Sequence, residues 1–70
     1  SMVGNVRASI LFDLTSLRRV KLASSRFTST YVLGLTAFLD DIGDRPVTIE
    51  CADGKFVKKI NGAWVAVEEA

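Results

Sequence analysis

The chain has 70 residues, 49% of them hydrophobic, with nine Lys and Arg, eight Asp and Glu, no histidine and one cysteine. That length holds one domain with a modest core, and the apolar fraction argues against disorder. The net charge of +1 exerts no global pull on nucleic acid or acidic partners, so any such preference has to come from clustering.

Residues 1–5, with Gly4 and Asn5, read as a disordered lead-in, and Ser1 before Met2 reads as the scar of a cleaved tag. Residues 6–70 read as a single α+β domain. From Val6 the sequence alternates. Val6, Ala8, Ile10, Phe12 and Leu14 share one face, while Arg7, Ser9, Leu11 and Asp13 share the other, which predicts a half-buried strand. A loop at Thr15-Ser16-Leu17 leads into a second strand that ends near Ala23. Pairing Phe12 with Val20 and Ile10 with Leu22 turns Val20 and Leu22 inward and Arg19 and Lys21 outward. The competing reading is a short helix from Ser16. Ser24, Ser25 and Arg26 form a connection.

One helix is expected over residues 29–42. Thr28 is its N-cap, and Phe27 and Val32 are spaced for a hydrophobic staple. Tyr31, Val32, Leu35, Phe38, Leu39 and Ile42 form its apolar stripe. Gly43 supplies the C-cap, and Pro46 prevents the helix from resuming. Gly34 costs the helix interior on the order of 1 kcal/mol relative to Ala. Asp40 and Asp41 stand at the unfavourable end of the helix dipole.

Residues 46–70 carry two turn signals, Asp53-Gly54 and Asn61-Gly62, between segments rich in Val, Ile, Phe and Trp. They predict a three-stranded antiparallel meander. A two-residue loop at Asp53-Gly54 pairs Glu50 with Val57 and gathers Val47, Ile49, Cys51, Phe56 and Ile60 on the core face, with Lys58 among them. A loop one residue longer brings Lys55, Val57 and Lys59 to that face, and the apolar count favours the shorter loop. A two-residue loop at Asn61-Gly62 then leaves Trp64 outside beside Lys59; a bulged three-residue loop turns it inward.

The expected architecture is a small α+β roll of order ββαβββ, one helix on a four- to five-stranded sheet with the other face open. In element order it resembles a ubiquitin-like β-grasp, which would place the first strand centrally and parallel to a strand after the helix. A small barrel is the second choice.

The chemistry is sparse. The absence of histidine removes the commonest general base and metal ligand. Cys51 alternates with Val47 and Ile49, as a buried hydrophobe does. Asp40, Asp41 and Asp44 do not have the spacing of a calcium loop, and the glycines form no phosphate-cradling loop. Neither catalysis nor a cofactor or metal is expected. No apolar run approaches the roughly 20 residues of a membrane span, so no membrane partner is expected. A lone cysteine fits an intracellular setting.

The leading expectation is a non-catalytic protein-interaction or assembly module, using the open sheet face or a sheet edge to bind another protein or itself. Its contact residues would be Trp64, Arg19, Lys21, Lys59, Val57 and Leu11, an aromatic and basic composition common at interfaces. The alternative is a nucleic-acid-binding module using Arg18, Arg19, Lys21, Arg26, Lys55, Lys58 and Lys59, with Trp64 as a stacking platform. A regulatory or structural fragment of a larger enzyme is the third reading.

Overall fold

A computed structural model of the protein describes residues 19–70. Its elements are β1 (Arg19–Lys21), α1 (Ser29–Leu33), α2 (Thr36–Ile42), β2 (Thr48–Glu50), β3 (Phe56–Ile60) and β4 (Ala63–Val67). The lead-in, the strand expected from Val6 and its pairing with the segment around Val20 lie outside the described residues, as do Leu11 and Arg18.

The four strands form one mixed sheet in the order β1-β2-β3-β4, open rather than closed into a barrel. β1 runs parallel to β2, and the helices lie on the connection between them. β2, β3 and β4 are antiparallel, as the meander predicts. The domain is therefore α+β, with a parallel pair that joins a strand before the helices to one after them.

Local sequence accounts for β1 and the helical segment. Val20 and Leu22 are buried and Arg19, Lys21 and Ala23 exposed, the alternation of a strand with one wet face. Thr28 is extended and its hydroxyl accepts from the Tyr31 N–H at 3.3 Å, the expected N-cap. Val32, Leu35, Phe38, Leu39 and Ile42 are all buried, with Tyr31 half-buried beside them.

The single helix is, however, two. Gly34 donates to the Tyr31 carbonyl and Leu35 to the Val32 carbonyl, tightening the last turn of α1 into i→i+3 bonds. Leu35 then leaves helical geometry with ψ 65°. The break follows the poorest helix former in the segment. Gly34 is exposed and marks this break, and a Cβ there would stand 3.3 Å from the Tyr31 carbonyl oxygen of its own turn.

The register between β2 and β3 also differs from expectation. Ile49 pairs with Val57 and Glu50 with Phe56, so the loop is Ala52-Asp53-Gly54, one residue longer. Gly54, at φ 82°, takes the left-handed position that such a loop requires. Two long-range ties hold the loop. The Ala52 N–H donates to the Phe27 carbonyl at 2.8 Å. The Asp53 carboxylate accepts from the Ser29 N–H at 3.1 Å and from the Ser29 hydroxyl at 2.6 Å. Asp53 thus caps the first turn of α1 from across the chain.

In this register Val57, fully buried, joins Val47, Ile49 and Cys51 in the core. The lysines flanking it, which the apolar count weighed against this arrangement, stand at the two ends of the face. Lys55 lies 3.9 Å from Glu68. Lys59 reaches the Asp44 carboxylate at 2.9 Å and the Gly43 carbonyl at 3.3 Å. Lys59 reaches in this way from the apolar face to polar groups at its edge, and Lys58, expected among the core residues, stands on the outer face. Asn61-Gly62 forms the expected two-residue turn, with φ 52° and 81°, and pairs Lys59 with Trp64 and Ile60 with Ala63.

Asp53 carries a pH dependence. The Ser29 hydroxyl bonded to its carboxylate holds it below the ordinary value of 3.8. A carboxylate held low stabilises the folded chain while ionised, and that contribution is lost as pH falls through its folded-state value. The unfolding midpoint of the parent should therefore exceed that of Asp53→Asn at neutral pH, and the gap should close below about pH 4. A gap that is constant across that range contradicts an ionised cap.

Candidate functional site

The one-residue shift exchanges the faces of β3 and therefore of β4. Arg19 and Lys21 project from the outer face as expected. Strand pairing places Thr48 and Glu50, then Phe56, Lys58 and Ile60, then Ala63, Val65 and Val67 on the same face. Ile60 is 41% exposed, the one large hydrophobic residue that open among those described. Phe56, Lys58, Val65 and Val67 are half-buried and Ala63 is exposed. The face is divided: β3 and β4 supply an apolar half interrupted by Lys58, and β1 and β2 supply a charged half.

One contact joins the halves and a second orders the charged one. The Arg19 guanidinium carbon lies 5.4 Å from the centre of the Phe56 ring, within cation–π range. Lys21 Nζ lies 3.8 Å from the Glu50 carboxylate. Both pairs are at the surface, where an ion pair contributes about 0–1 kcal/mol. They hold side chains in place more than they hold the fold together.

Three residues expected on this face are on the other one. Val57 is buried in the core and Lys59 turns toward Asp44. Trp64 is half-buried and packs against the core, with Lys59 Nζ 5.8 Å from its ring centre. The register is the physical reason for all three corrections. Trp64 does stand beside Lys59 as expected, but under the helices. Sequence reasoning missed Phe56, Ile60, Val65 and Val67. The signal available was Asp53-Gly54 itself, which also suits a three-residue loop with Gly at its left-handed position.

Among the described residues, the cations expected at a nucleic-acid surface do not share one face. Arg19, Lys21 and Lys58 share the outer face, Lys55 and Lys59 lie on the other, and Arg26 is exposed in the turn before α1.

Elsewhere, Arg45 donates to the Asp41 and Ile42 carbonyls at 3.0 and 2.9 Å, which answers the exposed carbonyls at the end of α2. A cleft of about 350 Å³ runs past Asp44, Arg45, Thr48, Lys58 and Lys59. Two of its cations are thus engaged with the helix end. Burial and the Asp53 charge push the Cys51 thiol up to about 11, and its Sγ lies 3.6 Å from the Ile49 carbonyl. That thiol is not a nucleophile at neutral pH. Among the described residues, no three His, Cys, Asp or Glu side chains converge as metal ligands, and no helix is long and apolar enough to cross a membrane.

No protein-family model matches the sequence, and no curated protein or solved structure shows significant similarity to the chain.

The most direct consequence of the register concerns Trp64. Truncation to Ala should lower stability by about 2 kcal/mol, roughly half the cost of a fully buried aromatic. Chemical denaturation measures it. A change near zero would place the indole in solvent and return it to the outer face.

Proposed function

We propose that this domain is a non-catalytic protein-interaction or assembly module whose contact surface is the outer face of the sheet. The observation that carries the reading is the apolar half of that face, Phe56, Ile60, Val65 and Val67, left partly open on the side away from the helices. Single exposed apolar residues need no explanation, but a contiguous patch on one sheet face suits a partner. Arg19 beside Phe56 adds the basic and aromatic pairing common at interface centres.

Several features argue against catalysis. The chain has no histidine, its thiol is buried and held protonated, and Asp53 and Asp44 are committed to Ser29 and Lys59. A nucleic-acid surface is less favoured, because the cations divide between two faces and Glu50 stands among those that remain. A role as a fragment of a larger enzyme would use the same face to contact the rest of that enzyme.

A paired experiment tests the reading. Ile60→Asp should keep stability within about 1 kcal/mol of the parent, as surface changes do, whereas Val57→Asp should prevent folding by burying a charge. A photoreactive residue in place of Ile60 should then cross-link a protein partner or a second copy, and one in place of the exposed Asp40 should not. Equal adducts at both positions, or none at position 60, contradict the proposal.

A further inference from the structure

From the charges bordering the apolar half, and resting on the reading of this face as a contact surface, we infer that the partner is an amphipathic protein segment whose apolar residues are flanked by acidic ones. The described part of the face carries three cations, Arg19, Lys21 and Lys58, and one acid, Glu50. Lys21 is already within 3.8 Å of Glu50. The remaining positive charge is concentrated on Arg19 and Lys58.

Those two charges meet the apolar residues differently, Arg19 at their border and Lys58 in their midst. Arg19 lies over the Phe56 ring, so its guanidinium stands at the boundary between the charged and apolar halves. Lys58 occupies the β3 position between Phe56 and Ile60 and pairs across to Val65. An apolar segment covering Phe56, Ile60, Val65 and Val67 would therefore bring groups of its own next to both cations. Covering a cation without a counter-charge is costly, and a like charge opposite it is repelled. A carboxylate on the segment meets both cations, and Arg19 offers a planar fork suited to binding it through two donors. The near-neutral balance of the whole chain conceals this local excess: the register brings Lys58 to the face of Arg19 and Lys21, and Glu50 is the acid among them.

Titrating the isotope-labelled full chain with two synthetic peptides tests the inference. One alternates Val and Glu; the other substitutes Lys for every Glu. The acidic peptide should shift the amide signals of Phe56, Lys58, Ile60 and Val65 and bind more weakly as salt rises. The lysine peptide should leave those signals in place. Lys58→Glu should weaken acidic-peptide binding on the order of tenfold, since it replaces an attraction with a repulsion. Ile60→Asp should abolish it.

Equal binding of both peptides, lost in Ile60→Asp, would overturn the acidic partner while leaving the contact face intact. Binding that survives Ile60→Asp would overturn the contact face itself. If neither peptide binds, the inference fails, and sedimentation of the parent and of Ile60→Asp identifies the alternative. Self-association present only in the parent assigns the face to a second copy. A monomeric parent whose Ile60→Asp variant unfolds as Val57→Asp does assigns the face to the chain's own residues.

Discussion

The carboxylate of Asp53 bonded to Ser29 is the contact on which the arrangement of the sheet rests. It spans 24 positions in the chain and joins the β2–β3 loop to the start of α1. Ser29 is buried, so its N–H and hydroxyl need partners from the protein, and a buried polar group without one is costly. The bond from Ala52 to the Phe27 carbonyl fixes the same loop from its other side. A loop one residue shorter would change the direction of both groups relative to α1. The helix start and the strand register are in this way one decision.

Everything on β3 and β4 follows from that decision, because a one-residue slip sends each side chain to the opposite face. The core receives Val57 and the flank of Trp64. Lys59 arrives beneath the C-terminal end of α2, where with Arg45 it answers carbonyls and acids that would otherwise repel one another. The outer face receives Phe56, Lys58 and Ile60. One pair of contacts at a loop thereby places a basic residue at a helix end, one flank of an indole against the core and a half-buried apolar patch on the outer face.

What was legible in the sequence was local. The alternation around Val20 and Leu22, the Thr28 cap, the buried stripe from Val32 to Ile42, and the Asn61-Gly62 turn each depend on neighbours within a few residues, and each stands in the structure. The β2–β3 register depends on a distant partner, Ser29, and counting apolar residues weighed two lysines as if they occupied the centre of the core face. They stand at its ends, where Lys55 is exposed near Glu68 and the Lys59 ammonium is bonded to the Gly43 carbonyl and the Asp44 carboxylate. The division of the helix was half-visible, since Gly34 marked the weak point without showing whether the chain would leave helical geometry there. The candidate site inherited the register: Arg19 and Lys21, on β1, kept their expected side, whereas Val57, Lys59 and Trp64, reached through the hairpin, exchanged it with Phe56, Lys58 and Ile60.

The register is also the most directly measurable part of the account. The Cys51 N–H donates to the Lys55 carbonyl, so the next residues in, Glu50 and Phe56, form a non-hydrogen-bonded pair, whose α-protons face each other closely across the two strands. A nuclear Overhauser spectrum of the full chain should therefore show a strong α-proton contact between Glu50 and Phe56. The two-residue loop would instead bring together the α-protons of Cys51 and Phe56. Finding that second contact in place of the first would return Val57 to the surface and dissolve the outer apolar patch on which the proposed function rests.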